Sequence, residues 1–241
     1  GVSIGHYKIS AGTLGAIVKD KKTSRKLLLS NNHVFANISN GQDKKKKKGD
    51  PILQPGIYDG GKEERDVVAL LERFIPIRRG GEMDCPIARN FEKLLNNLIY
   101  ALKPHYGVKL YKKNVENIVD CAVAVPLNDK IIDDKILEIG EVKGMKKAEI
   151  GMKVKKSGRS TGLTKNKVEL VNATVEVQMT ESETAIFTDQ FITGPMSGAG
   201  DSGSLVLDEE NNAVGLLFAG SNKATICNEI TNVCDLLDVE F

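Results

Sequence analysis

What most constrains the fold of this chain is the order of its reactive residues. Ser202 sits in Gly198-Ala199-Gly200-Asp201-Ser202-Gly203-Ser204, and the three histidines, His6, His33 and His105, all precede it. A serine is a useful nucleophile only when a base takes its proton. Its attack on a carbonyl creates an oxyanion, which needs backbone N–H donors aimed at it. Flanking glycines let the chain turn tightly and approach a substrate closely. The run Leu205-Val206-Leu207 that follows reads as a strand. A plain Gly/Ser turn between two strands has the same wording, so the partners of Ser202 decide. An α/β-hydrolase carries its histidine after its serine and a glycine two places beyond that serine. Here no histidine follows, and Ser204 stands where the glycine belongs. The orders left are His, Asp, Ser and Asp, His, Ser. Asp20 is the one acid ahead of His33 and belongs to the charged turn Lys19-Asp20-Lys21-Lys22, so His33 pairs best with a later acid.

Leu27-Leu28-Leu29 reads as a buried strand that delivers Ser30-Asn31-Asn32-His33, whose small polar residues suit a tight turn at the strand end. His6 and His105 have no such setting and read as surface residues. Residues 118–125 form an apolar strand around Asp120. A carboxylate there is poorly solvated and needs a partner; a histidine N–H supplies one, and the carboxylate in turn fixes the imidazole tautomer. Asp66, in Asp66-Val67-Val68-Ala69-Leu70-Leu71, is the rival acid on another strand.

Three of these segments, Leu29-Ser30-Asn31-Asn32-His33-Val34, Val119-Asp120-Cys121-Ala122-Val123 and Gly200-Asp201-Ser202-Gly203-Ser204, resemble the catalytic segments of the chymotrypsin/trypsin-like serine proteases. Lys156-Ser157-Gly158-Arg159-Ser160-Thr161-Gly162-Leu163-Thr164 is similar to the hairpin opening the second barrel of bacterial members. Within the family the wording is nearest to trypsin-like bacterial proteins related to the plant NARROW LEAF proteases. The resemblance implies a mainly all-β, chymotrypsin-like double β-barrel. Residues 1–140 would form the first barrel with His33 and Asp120, and 141–241 the second with Ser202 and a short C-terminal helix. It implies a serine endopeptidase that acts through an acyl-enzyme on protein or peptide substrates, without metal or cofactor. Ser202 is then the nucleophile, His33 the general base and Asp120 its orienting acid, with the N–H groups of Gly200 and Ser202 as the oxyanion hole. Phe218-Ala219-Gly220 would pair with the substrate backbone as an added strand. Met196, Ser197, Ala199 and Gly220 would line the primary pocket; none is acidic, which points to small or apolar side chains. Relatives carry N-terminal extensions, and the chain begins at Gly1 rather than methionine, so self-processing is a further expectation. A peptide-binding module that keeps the fold without turnover is the alternative reading.

The remaining chain fits this frame. Its 241 residues suffice for two barrels, and 41% hydrophobic and 27% charged residues are ordinary for a globular protein. A net charge of +2 gives no drive toward nucleic acid or an anionic membrane. No apolar run has the length of a membrane span, and no signal peptide is visible. Four cysteines are too few for a disulfide framework; they read as buried reduced thiols, with a Cys227–Cys234 bridge as the lesser option, and favour a cytoplasmic setting. Five consecutive lysines, Lys44, Lys45, Lys46, Lys47 and Lys48, predict an exposed mobile loop. The one departure from a minimal barrel is helical: Ile87, Ala88, Phe91, Leu94, Leu95, Leu98, Ile99 and Leu102 recur at helical spacing between Pro86 and Pro104, predicting a helix over about 86–103. Its plainer reading packs it on the first barrel; the sharper ones make it a lid or a self-association face for a homo-oligomer. Residues 9–18 read as one strand with a close backbone approach at its glycines. Ala173, Val175, Val177 and Met179 alternate with polar residues as in a half-exposed strand. Ile230, Val233, Cys234 and Leu237 mark the C-terminal helix, with Asn228 as its cap.

Overall fold

Two sheets, antiparallel except where Gly144 and Met145 run parallel to Asn212 and Ala213, form the protein, and the candidate site lies where they meet. A computed structural model describes residues 1–42, 48–80, 85–110 and 115–241. The first sheet contains β1 (Ser3–His6), β2 (Gly12–Thr13), β3 (Ala16–Asp20), β4 (Lys26–Ser30), β5 (Pro51–Leu53), β6 (Val67–Phe74) and β7 (Ala122–Pro126). The second contains β8 (Gly144–Met145), β9 (Lys153–Gly158), β10 (Gly162–Gln178), β11 (Thr184–Thr193), β12 (Leu205–Asp208), β13 (Asn212–Gly220) and β14 (Thr225–Glu229). A last strand, β15 (Val239–Glu240), returns to the first sheet beside β3, giving the order β15-β3-β4-β7-β6-β5-β1-β2. The second sheet runs β12-β9-β10-β11-β14-β13-β8 and closes through a β12–β13 pairing into a barrel.

The expected alternation holds in β10: Ala173, Val175 and Val177 turn inward while Thr174, Glu176 and Gln178 are exposed. Residues 9–18, read as one strand, divide into β2 and β3. Thr13, at the end of β2, donates its N–H to Ser202 O at 2.8 Å, and Leu14, in the segment between, donates to Val2 O at 2.9 Å. Gly15 lies so close to the Ser202 loop that a Cβ there would stand 2.4 Å from Gly203 O.

The largest core joins the sheets. Ala16, Val18, Leu27, Leu29 and Val123 of the first pack with Leu205, Leu207 and Leu216 of the second. Ile230, Val233, Cys234 and Leu237 of helix α3 (Ile230–Leu237) seal the same core. For numbering, α1 is the single turn Asn32–Phe35 and α2 is Pro86–Leu102.

Helix α2 forms where its apolar spacing and Pro86 at its first turn predict, but it is not packed on the first barrel. None of its residues is buried; Ile87 and Leu102 are each 81% exposed, and Phe91, Leu94 and Leu98 are exposed beside them. It is tied to the chain that follows it, with Asn96 Nδ2 donating to Val108 O at 2.8 Å and Leu110 N–H donating to Glu92 Oε2 at 2.9 Å.

Three further expectations need correction. His6 is buried, not on the surface: its Nδ1 accepts from Lys8 N–H at 3.1 Å, so Nε2 carries the proton and donates to Asp50 Oδ2 at 3.0 Å. Cys85 is exposed, whereas Cys121, Cys227 and Cys234 are buried, and all four are free thiols. Asn228 does not cap α3; Glu229 holds that position without a side-chain capping bond. Of the lysine run, Lys44, Lys45, Lys46 and Lys47 lie outside the described residues, and Lys48 pairs with Glu72 at 2.9 Å. Among the described residues no helix is long and apolar enough to cross a membrane.

Candidate active site

The two asparagines before His33 explain how the chain turns there. As β4 ends, Asn31 takes an extended backbone and sends its Nδ2 to Asp120 O at 2.8 Å. Asn32 then staples α1: its Nδ2 donates to Ser39 O at 3.0 Å and Ile75 O at 2.7 Å, and its Oδ1 accepts from Ser39 N–H at 2.8 Å. The turn lifts His33 to the surface with its ring facing Asp120. His33 Nδ1 and Asp120 Oδ2 are 2.6 Å apart, and His33 N–H donates to the other carboxylate oxygen at 3.2 Å. An ionised carboxylate only accepts, so the proton sits on Nδ1 and Nε2 offers a lone pair.

Asp120 is fully buried and precedes β7 rather than lying within the strand. Its backbone is held by side chains instead of strand neighbours. Asp120 N–H donates to Asn228 Oδ1 at 3.0 Å, and Asn228 Nδ2 donates to Gln190 Oε1 at 2.6 Å. The second barrel thus positions the acid of the first. The rival acid, Asp66, is taken up in its own turn by Lys62 N–H and Arg65.

Ser202 is presented by a loop whose conformation requires glycine. Gly200 and Gly203 both have φ +95°. Gly203 N–H donates to Leu217 O at 2.8 Å, and Thr13 Oγ1 donates to Gly200 O at 2.8 Å. Between the glycines, Asp201 turns inward and is fully buried. It accepts from Gly198 N–H at 2.9 Å, Ser160 N–H at 2.8 Å, Thr161 N–H at 3.2 Å and Thr161 Oγ1 at 2.6 Å. Lys156, also fully buried, meets it at 3.2 Å. Burial opposes ionisation of Asp201, but the Thr161 hydroxyl, the N–H groups of Gly198 and Ser160 and the Lys156 ammonium outweigh it and hold the carboxyl below its ordinary range. Burial pulls the Lys156 ammonium down, partly offset by Asp201. Sequence reasoning missed Lys156 and Asn228. Lys156 left one signal: it shares an inward phase of β9 with Val154.

The Gly200 and Ser202 N–H groups have no acceptor among the described residues, so both stay available to an anion. Ser202 Oγ donates to Phe218 O at 3.4 Å and is not hydrogen-bonded to His33. Beside it runs an open groove of about 440 Å³, lined by His33, Ile38, the 176–179 segment of β10 and Phe218, Ala219 and Gly220 of β13. Phe218 buries its ring against Phe187, while Ala219 is half-buried and Gly220 exposed. Of the other pocket candidates, Met196 is buried in the core of the second sheet with Val154, Phe191 and Val206. Ser197 Oγ lies 2.9 Å from Thr225 Oγ1, and Ala199 is exposed. Among the described residues no group of three or more His, Cys, Asp or Glu side chains could hold a metal ion.

Neither a family model nor a curated protein sequence matches the chain. Solved structures do. It is similar to the Nocardiopsis protease (14% identity, 100% of this chain and 96% of that one, TM-score 0.59). It is similar to a glutamic-acid-specific serine protease described as using a histidine triad in substrate binding (16% identity, 99% and 97% covered, TM-score 0.60). It is likewise similar to the Cellulomonas bogoriensis chymotrypsin (13% identity, 100% and 96% covered, TM-score 0.54). At such identities the likeness is one of fold: the chain is a chymotrypsin-like double β-barrel, mainly β, with few helices.

Proposed function

We propose that this protein is a serine endopeptidase. The observation that carries the reading is the His33–Asp120 couple at the lip of the groove, next to a serine whose loop holds two unbonded N–H groups. In the proposed reaction Ser202 Oγ attacks the scissile carbonyl and gives its proton to His33 Nε2. The C–O bond forms as the carbonyl π bond becomes an oxyanion, received by the N–H groups of Gly200 and Ser202. His33 returns the proton to the departing amine as the C–N bond breaks, leaving an acyl-enzyme. Water, deprotonated by His33, then releases the acid and restores Ser202. Asp120 stays ionised and steadies the imidazolium. Losing one oxyanion donor typically costs roughly a hundred- to a thousandfold in rate. The open edge at Ala219 and Gly220 suits an added substrate strand, and the uncharged pocket candidates favour small or apolar side chains. The Ser-Asn-Asn-His and Gly-Arg-Ser-Thr-Gly-Leu-Thr wording resembles that of bacterial relatives of the NARROW LEAF proteases, and supports a reading within that group.

A second reading, a peptide-binding module without turnover, has one observation in its favour: Ser202 Oγ rests on Phe218 O rather than on His33. Catalytic hydrogen bonds commonly tighten only when substrate is bound, so the endopeptidase reading stands first. A fluorophosphonate probe separates the two. Labelling of the wild type, absent in Ser202→Ala and His33→Ala, supports the protease; a wild type that binds peptides but takes no label supports the module.

A further inference from the structure

The peptide group between Ala199 and Gly200 carries one of the two proposed oxyanion donors. In a trans peptide the C=O of one residue and the N–H of the next point in opposite directions, so whatever holds Ala199 O also aims Gly200 N–H. Gly200, at φ +95°, has the freedom to let this peptide turn over, and a turned peptide would present a carbonyl oxygen to an oxyanion. The direction therefore needs an outside restraint.

We infer that Ser160 is that restraint: a positioning residue that latches the Ala199 carbonyl and thereby points the Gly200 N–H into the oxyanion hole. The inference rests on the protease reading and extends it. Ser160 Oγ donates to Ala199 O at 2.5 Å. The same hydroxyl accepts from Arg159 Nη1 at 3.0 Å, which commits its single proton to the Ala199 side. Ser160 N–H donates to Asp201 Oδ1, so both its backbone and its side chain grip the nucleophile loop. Arg159 is itself fixed from the first half of the chain. Its Nε and Nη2 meet the two oxygens of Asp59 at 2.5 and 2.7 Å, and its guanidinium lies 4.7 Å from the centre of the Tyr58 ring. Asp59 is further bonded by Ser3 Oγ. The relay runs from Asp59 through Arg159 and Ser160 to the Ala199–Gly200 peptide. Both side chains pack directly on the loop: a Cβ on Gly200 would stand 2.2 Å from Arg159 Nη1 and 2.6 Å from Ser160 Oγ. Ser160 touches no reacting atom, so it acts through the peptide it holds.

The test compares wild type, Ser160→Ala, Ser160→Thr and Asp59→Asn in the full chain. The readouts are the second-order rate of fluorophosphonate labelling, the melting temperature, and the low-field proton NMR signal of the His33 Nδ1–H facing Asp120. Labelling places a phosphoryl oxygen in the oxyanion hole, whereas the NMR signal reports the His33–Asp120 couple alone. Ser160→Ala is expected to label at least about tenfold more slowly, short of the loss for complete removal of a donor, with the other two readouts unchanged. Threonine keeps the hydroxyl and restores the rate, and Asp59→Asn gives an intermediate loss. A labelled wild type with an equally reactive Ser160→Ala overturns the latch alone. So does a loss of rate that comes with a lost His33 signal or a lowered melting temperature, which would mark a structural stitch. A wild type that takes no label overturns the protease reading, and the latch with it.

Discussion

Replacing Lys156 by methionine removes one ammonium from beneath the Ser202 loop while keeping most of the side-chain volume. Both members of the Lys156–Asp201 pair are fully buried. Breaking a buried pair by deleting one partner costs about 3–5 kcal/mol, because the other charge is left uncompensated. Asp201 would still accept from Gly198, Ser160 and Thr161 N–H groups and from the Thr161 hydroxyl, which places the cost at the lower end, about 3 kcal/mol. For a chain of this size each kcal/mol moves the melting temperature by roughly 2–4 °C, so Lys156→Met should melt about 6–12 °C lower. Adding Asp201→Asn removes the stranded charge, and the double variant should melt above the single one. Acidification offers a second reading of the same pair. Asp201 has its pKa held below its ordinary value of 3.8, so its contribution is complete above that pH and is lost as pH falls through the lowered value. The advantage of wild type over Asp201→Asn should therefore shrink in that range. Thermal scans followed by circular dichroism decide the matter. A Lys156→Met protein within about 2 °C of wild type, or a double variant no more stable than the single, would refute the idea that an uncompensated buried charge governs this loop.

Asn228→Leu strands Asp120 N–H and Gln190 Oε1 inside the protein, at about 1–3 kcal/mol for each unsatisfied group; it should lower the melting temperature and slow fluorophosphonate labelling, and full labelling at an unchanged melting temperature would count against it. Glu229 is buried, and burial, only partly offset by the Ala148 N–H, raises its carboxyl above the ordinary 4.5. Stability tied to its protonated form is complete below that pH and lost as pH rises through the raised value, so Glu229→Gln should be more stable than wild type at pH 8 and lose that margin at pH 4 in matched denaturant titrations. Burial pushes the thiols of Cys121, Cys227 and Cys234 up, the last to about 12. A disulfide exchange reagent should therefore titrate one thiol in the native protein, that of Cys85, and all four in denaturant.

Much of the fold was legible because its signals are local. The Leu27-Leu28-Leu29 run, the alternation through β10 and the glycines around Ser202 each report on a few consecutive residues, and the structure uses them as written. Partners far apart in sequence were not legible. Asn228 stands just ahead of an apolar helical pattern, which is the signature of a cap. Its side chain instead turns inward, because Asp120 N–H, 108 residues away, has no strand neighbour to bond. Lys156 and His6 are polar residues at inward strand positions, and nothing near them in sequence announces Asp201 or Asp50. The periodicity of α2 revealed an apolar face, but a pattern within one helix carries no information about what, if anything, lies against it.

The return of β15 to the first sheet has a consequence for how the protein comes into being. Val239 and Glu240 complete the edge beside β3, and Arg73 of β6 bonds the carbonyls of Leu237 and Asp238 just before them. During synthesis at about 5–20 residues per second, roughly 10–40 s separate the appearance of His33 from that of Val239. Through that interval the first barrel lacks its edge strand and the shared core lacks α3. A half-made chain therefore has His33 and Asp120 but neither Ser202 nor the second-barrel side chains, Asn228 and Gln190, that hold Asp120 in place.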